Sequence, residues 1–299
     1  MTYRIVGIGE VLWDLLPTGA QLGGAPANFA YHAHALGADS AVISRVGDDA
    51  LGHDIIARLS ALGVNTECLQ IDAQRPTGTV AVDVDSHGQP QFEIRRDVAW
   101  DALVSDAASL RVVSSADAVC FGSLAQRDDV SRRAIRTLVE AAPSTALRIL
   151  DVNLRQQYYS RAIIEDSLLH ATVLKVNETE LPRLAAMFGL SGDVRSQIDQ
   201  LVERWQLNAV AFTRGECGSL LRTAHEWSEH PGVATSVVDT VGAGDAFTAA
   251  MTIGLLSGWA LDDVNEHANR VAAYVASRAG GTPILPADIL APFAARVQA

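Results

Sequence analysis

The segment Asp239-Thr240-Val241-Gly242-Ala243-Gly244-Asp245-Ala246-Phe247 joins a glycine-rich turn to a carboxylate at the head of a long helical pattern. The backbone N–H groups of such a turn form a cradle for an anion, where a phosphate gaining or losing charge is stabilised without any cationic side chain. Asp245 stands at the mouth of that cradle. A carboxylate there repels phosphate and serves no purpose in binding alone; it fits a group that takes a proton from an attacking hydroxyl. Isolated, the same aspartate reads as an N-terminal helix charge or cap.

Two other segments carry comparable equipment. Gly23-Gly24-Ala25-Pro26-Ala27-Asn28 runs into the apolar-periodic stretch Phe29–Leu36 and closes on Gly37. Paired glycines let a backbone approach a ligand closely, and the helix behind them offers free N–H groups and its positive end. Asn28 holds both a donor and an acceptor, as a grip on a sugar diol requires; a glycine turn with Pro at a helix start is the competing reading. In Lys175-Val176-Asn177-Glu178-Thr179-Glu180, Asn177 and Glu180 lie one helical turn apart, so both can face a single hydrated Mg²⁺. An Asn cap with Glu three residues on is the alternative. The place of this segment at the C-terminal end of a strand, where open α/β sheets bind ligands, favours the former. Lys175 is the only lysine in the sequence. Gly7-Ile8-Gly9 half-matches a dinucleotide fingerprint, but Leu12 holds the third glycine's place and no helix follows, so it reads as a close-packed strand end.

Elements that position these residues emerge from periodicity. Short β-like runs alternate with helical ones: Tyr3–Ile8 then Ala25–Leu36, Ser40–Ser44 then Asp54–Leu62, Ala118–Phe121 then Val130–Ala141, and Leu147–Val152 then Ala162–Leu169. Thr172–Val176, Ala209–Phe212 and the helical stretches near Asp245–Leu256 and Val264–Ala276 continue the rhythm. The alternation predicts βαβ units and a mostly parallel sheet covered by helices on both faces. Gly78–Val84 and Gln91–Arg95, around Ser86-His87-Gly88, break the pattern and predict an antiparallel hairpin, either an edge of the main sheet or a flap acting as a lid. No repeat or linker-like stretch divides the chain, so one domain over residues 1–299 is expected, with a small lid from about 12–22 and 76–98.

At 299 residues, 48% hydrophobic and 19% charged, the chain has the composition of a globular core with a charged surface, which excludes disorder, collagen and coiled coil. A formal net charge of −12 speaks against nucleic acid or an anionic membrane as a partner. Cys68, Cys120 and Cys217 stand far apart, without metal or disulfide spacing, and are expected to be reduced and buried. The apolar run from Ile5 is broken by Glu10 and Asp14 and lacks signal-peptide flanks, and no segment has the apolar length of a membrane span, so a cytoplasmic location is expected.

Together the segments resemble the PfkB (ribokinase-like) family of carbohydrate kinases. Asp239–Phe247 is similar to its C-terminal signature, DTxGAGDxF, at every fixed position; Gly23–Asn28 resembles its N-terminal signature; and Asn177-Glu178-Thr179-Glu180 resembles its NxxE motif. The resemblance runs from Gly9-Glu10 to Pro283. It implies a ribokinase-like three-layer α/β sandwich, with a mostly parallel sheet and a small β lid, and ATP-dependent phosphorylation of a sugar hydroxyl. Asp245 would be the general base, and Gly242, Ala243 and Gly244 the anion hole for the γ-phosphoryl. Asp14, Gly24 and Asn28 would contact the sugar, with Arg95 at the lid and Arg155 near sugar or phosphate. Asn177 and Glu180 would hold the Mg²⁺ of MgATP through water. Lys175, Thr213, Gly215, Gly218 and Asn269 fall at nucleotide positions. Asp239 and Val241 lie in a loop that in relatives often gives backbone oxygens to K⁺, although Ile284 stands where some relatives carry a hydroxyl, which leaves K⁺ dependence open.

Glu10–Pro17, Gly23–Asn28 and Asp151-Val152-Asn153-Leu154-Arg155 resemble bacterial fructokinases within the family, which points to fructose and its 6-phosphate. Kinases for 2-keto-3-deoxygluconate, other sugars or nucleosides are alternatives, as is a non-catalytic sugar-binding regulator. A dehydrogenase built on Gly7-Ile8-Gly9 is the weakest rival. The partners expected are a small sugar and ATP, and the lid edge suggests a homodimer.

Overall fold

The computed structural model describes residues 2–16, 19–84 and 90–296. In chain order its strands are β1 (Arg4–Ile8), β2 (Leu12–Leu16), β3 (Gly19–Gly23), β4 (Asp39–Gly47), β5 (Leu69–Asp72), β6 (Gly78–Val84) and β7 (Pro90–Ile94). They continue with β8 (Ala118–Phe121), β9 (Leu147–Asp151), β10 (Val173–Asn177), β11 (Ala209–Thr213), β12 (Ser219–Thr223) and β13 (Trp227–His230). Among the described residues, nine strands form one sheet in the order β13-β12-β11-β10-β9-β8-β1-β4-β5. From β11 to β5 the neighbours pair in parallel, and the β11–β12 and β12–β13 pairs are antiparallel.

Successive strand residues point to opposite faces, and here the two faces differ in size. Val6, Ile8, Val119, Phe121, Leu150, Leu174, Val176, Val210 and Phe212 enter one core, under the helices Asp129–Ala141, Arg161–His170, Leu181–Phe188 and Val194–Trp205. Ile5, Ala118, Cys120, Ile149, Val173, Ala209 and Ala211 enter the other, under the helices Ala25–Ala35, Ala243–Leu256 and Leu261–Ala276. Three alanines on that face, Ala118, Ala209 and Ala211, share this core with Ala246, Ala249 and Ala250 of the helix Ala243–Leu256, so small side chains lie on both the sheet and the helix. Added bulk at Ala211 or Ala249 would push it outward, at a cost of about 1–3 kcal/mol. The small side chains thus set the height of the glycine turn at its head.

A second sheet, β3-β2-β6-β7, stands apart from the first. Its β2–β3 and β6–β7 pairs are antiparallel and its β2–β6 pair is parallel. The expected Ser86-His87-Gly88 turn lies outside the described residues. The three layers and mostly parallel sheet agree with the expectation from periodicity. Gly7 also behaves as read: a Cβ there would lie 2.2 Å from the Pro26 carbonyl oxygen, because β1 packs directly on the start of the helix Ala25–Ala35. One expectation needs correction. Cys68 and Cys120 are buried free thiols, but Cys217 is exposed, since the short turn Gly215–Cys217 crosses the end of the sheet rather than entering a core.

Candidate active site

The residues singled out by chemistry collect where parallel strands end. Glu10 follows β1, Asp151 closes β9, Asn177 closes β10 and Thr213 closes β11. This is the edge at which open α/β sheets hold ligands. The head of the helix Ala243–Leu256 meets it there.

Gly242 caps that helix in the left-handed region (φ 76°), and a Cβ on it would sit 2.4 Å from the Gly281 carbonyl oxygen. Only glycine fits. The first turn therefore leaves backbone amides without helical partners facing the strand ends. Beneath it, Lys175 fills the space a side chain at Gly244 would need, with Nζ 3.2 Å from where that Cβ would lie. Lys175 Nζ donates to Asp151 Oδ1 (3.0 Å), and Thr248 Oγ1 donates to Asp151 Oδ2 (3.1 Å) and to the Gly244 carbonyl (2.9 Å). Burial works against the Lys175 charge, yet Asp151, with Glu180 and Asp245, outweighs it and holds the ammonium pKa above its ordinary value. The sole lysine is thus a fixed cation under the turn.

Asp245 accepts a hydrogen bond from Asn28 Nδ2 at 2.8 Å, across 217 residues of sequence. Burial, then the nearby Asp151 charge, pushes its carboxyl up to about 6, against the pull of Asn28, Lys175 and Arg155. Asn28 is buried, and its Oδ1 has no hydrogen-bond partner. Gly24, at φ 110°, brings its backbone so near the β1–β2 turn that a Cβ would lie 2.5 Å from the Glu10 carbonyl oxygen. Asp14, on β2, rises to about 6 through burial and Asp239, while Arg155 opposes the shift. Glu10 is raised to about 7, by burial first and by Asp245, with Arg155 again opposing. The positive charge of one exposed guanidinium, Arg155, works against the upward shift of all three acids, Glu10, Asp14 and Asp245.

A cleft of about 1140 Å³ opens on the other side of the glycine turn, and Lys175, Asn177, Thr213, Gly215, Gly218 and Asn269 all line it. Gly218, at φ 75°, lets the backbone fold against His230, whose carbonyl oxygen would lie 2.1 Å from a Cβ. Asn269 Nδ2 donates to Ser219 Oγ (2.7 Å) and to the Asn265 carbonyl (2.8 Å), fixing its orientation at the wall. Val237, Ala272 and Ala276 supply an apolar stretch of the lining.

Asn177 and Glu180 take different places. Asn177 Oδ1 accepts from the Thr179 amide, the Thr179 hydroxyl and the Glu180 amide (2.8–3.0 Å), the geometry of a cap. Glu180 is buried, and its two oxygens accept from the amides of Leu154 (3.0 Å) and Asn177 (2.9 Å). Asp239 likewise gives both oxygens to amides, those of Val241 and Gly280, at 3.0 Å each, and so joins the loop before the glycine turn to residues 280–284. The helix Ala25–Ala35 holds the same loop from below, with Tyr31 Oη donating to the Pro283 carbonyl and His32 Nε2 to the Gly281 carbonyl, both at 2.9 Å. Burial, opposed by that bond, lowers His32 to about 4, so the ring is neutral. Arg95, just beyond β7, is exposed at the root of the small sheet.

Thr248 and the bond between Asp151 and Lys175 are parts of the candidate site that motif reading does not bring together. A signal existed for the pair: an acid and the only lysine, each at the end of a predicted strand.

Comparisons with known proteins bear on the family and the fold. The profile of the pfkB family of carbohydrate kinases matches residues 18–288. The fructokinase of Klebsiella pneumoniae is 32% identical over 266 residues, covering 85% of each chain. An uncharacterized sugar kinase of Pyrococcus horikoshii, solved in complex with ATP, superposes with a TM-score of 0.79 at 28% identity over 93% of this chain and 94% of its own. A Vibrio cholerae fructokinase holding fructose, ADP and calcium superposes with a TM-score of 0.81 at 25% identity over 98% and 99%.

Proposed function

We propose, for a chain that belongs to the pfkB family of carbohydrate kinases and is an ATP-dependent sugar kinase, that the acceptor is fructose and the product fructose 6-phosphate. The observation that carries this reading is the carboxylate of Asp245, held by Asn28 at the head of the glycine turn, between the large cleft and the acids Glu10 and Asp14. MgATP occupies the cleft, with its γ-phosphoryl at the amides of Gly242, Ala243 and Gly244. The sugar lies on the side of Asp14, Gly24, Asn28, Arg95 and Arg155. Asp245 takes the proton of the hydroxyl as its oxygen bonds to the γ-phosphorus and the bond to the β-phosphate bridging oxygen breaks. The protein does little covalent chemistry: it aligns the two groups, and its amides and Lys175 offset the charge in transit.

The charge balance on the sugar side supports an uncharged acceptor over a sugar acid. Arg155 suits a carboxylate, but its charge is already felt by Glu10, Asp14 and Asp245, and an anion added among them would meet their repulsion. Magnesium arrives with the nucleotide. Asn177 and Glu180, whose oxygens accept from backbone amides at the strand end, would meet that ion through water. Both oxygens of Asp239 are spent on amides, so the ligands this loop offers a K⁺ ion are carbonyls such as those of Asp239 and Val241, the donors that replace potassium's hydration shell. The edge strands β3 and β7 of the small sheet are the proposed contact of a homodimer. The cytoplasm, where ATP is abundant, is its proposed compartment; no helix among the described residues is long and apolar enough to cross a membrane.

The test is ADP formation with fructose, 2-keto-3-deoxygluconate, ribose, glucose and adenosine at equal MgATP. Fructose should give the highest kcat/KM; a higher value for any of the others overturns the assignment. Binding of fructose by calorimetry without ADP formation from any of the five would point to a non-catalytic regulator instead.

A further inference from the structure

The loop between β9 and the helix Arg161–His170 touches both halves of the site. Toward the nucleotide, the Leu154 amide donates to Glu180 Oε1 at 3.0 Å. At its middle, the Tyr158 amide donates to the Arg155 carbonyl at 3.0 Å, so Arg155 and Tyr158 share one turn. Asn153 (φ 44°) and Gln156 (φ 48°) hold left-handed conformations there, which persist in side-chain-bearing residues only when the surroundings over-determine them.

The opposite end of the turn is tied to the root of the small sheet. Tyr158 Oη donates to the carbonyl of Ile94, the last residue of β7, at 3.3 Å. The Tyr158 ring lies against the Arg127 guanidinium, 4.8 Å from its centroid. Arg127 donates to the Arg95 carbonyl at 2.5 Å and, through Nε and Nη2, to both oxygens of Asp101 at 2.8 Å, while stacking on Trp100 at 4.0 Å. Its side chain is 4% exposed and that of Asp101 6%. A desolvated pair of this kind adds little net stability, because its attraction must first offset the loss of hydration; what it does fix is position. The carbonyls of Ile94 and Arg95, where β7 leaves the sheet, are thus each captured by a side chain of the main body. One of those side chains belongs to the Arg155 turn.

We propose that Tyr158 and Arg127 are positioning residues that lock the root of the lid to the Arg155 turn, so that the lid and Arg155 approach the sugar as one body. The proposal rests on the reading that Arg155 faces the acceptor. In this role both act through Arg155.

The experiment is a cycle of Tyr158→Phe, Arg155→Ala and the double variant, with KM for the accepted sugar, KM for ATP and kcat measured for each. Tyr158→Phe keeps the ring on Arg127 and removes one neutral hydrogen bond, so sugar KM should rise about threefold to tenfold while kcat and ATP KM stay within about twofold. Arg127→Lys keeps a cation beside Asp101 but loses the Nη2 bond to the Arg95 carbonyl, and should move sugar KM the same way. In the double variant the Tyr158→Phe effect should vanish, since the residue it acts through is gone. Multiplying effects in the double variant, or an unchanged sugar KM in Tyr158→Phe, overturn the coupling even if Arg155→Ala raises sugar KM. An unchanged sugar KM in Arg155→Ala removes the premise, and the proposal with it. Tyr158→Phe should lower the urea midpoint only slightly, and a fall in that midpoint with equal changes in both KM values marks a purely structural role and also overturns it.

Discussion

Replacing Asn28 with Ala isolates one hydrogen bond at the reacting centre. Its Nδ2 donates to Asp245 Oδ2 at 2.8 Å, and that bond is among the influences that restrain an acid which burial and Asp151 still push up to about 6. A hydrogen bond to a charged group contributes about 1.5–3 kcal/mol, and about 1.4 kcal/mol corresponds to one pKa unit, so losing it should raise the Asp245 pKa by about one to two units. The direction follows from the species stabilised: the donor favours the carboxylate, its loss favours the protonated acid, and only the carboxylate can take the hydroxyl proton. The acid limb of kcat/KM, which reports ionisations of the free enzyme, should therefore move from about pH 6 to about 7–8. With a shift of about 1.5 units, activity relative to wild type falls about fifteenfold at pH 6 and less than about twofold at pH 9. The assay is sugar-dependent ADP release between pH 5 and 9.5. An acid limb that stays at its wild-type position while activity drops equally at every pH would refute the reasoning and assign Asn28 to the sugar alone.

Asp245→Ala should lower kcat by at least about a hundredfold while calorimetric sugar binding survives, because a general base acts on the barrier rather than on the ground state. Gly242→Ala forces a side chain into a left-handed position 2.4 Å from a carbonyl oxygen; it should cost about 1–3 kcal/mol in a thermal melt and lower kcat through the displaced amides. Lys175→Met strands the buried Asp151 carboxylate and should destabilise by about 3–5 kcal/mol in urea, with Lys175→Met/Asp151→Leu recovering stability but not activity. Glu10 has a folded pKa of about 7 against an ordinary 4.5, so the folded state retains a proton the unfolded chain has lost, and stability falls as pH climbs through that window. Glu10→Gln should remove that contribution, narrowing the difference in melting temperature between pH 5 and pH 8.

The alternation of β-like and helical runs was enough to predict the parallel sheet and its two helical layers, because buried strands and their covering helices have distinct periods. The helix Val194–Trp205 was also open to reading, from the spacing of Ile198, Leu201, Val202 and Trp205. The strands β2 and β3 give little periodic signal, since they are short, and β6, the other partner of β2, is distant in sequence. Within the site, the glycine turn and the six cleft-lining residues follow from local motifs. The bonds among motifs do not. Asn28 finds Asp245, and Glu180 spends its oxygens on Leu154 and Asn177, only because particular strand ends become neighbours, and no local pattern encodes which ones do. Arg127 is similarly silent: its stack on Trp100 and Tyr158 depends on three separate loops meeting.

The seclusion of Lys175 beneath the glycine turn has a practical corollary. Every other cationic side chain apart from histidine is an arginine, so reagents that acylate or carbamoylate amines find no lysine on the outer surface. An amine-reactive nucleotide analogue that inactivates the protein has one ε-amino group to mark, at the wall of the cleft. The mass of the peptide spanning residue 175 then becomes a gauge of whether that cleft was open, filled or blocked when the reagent arrived.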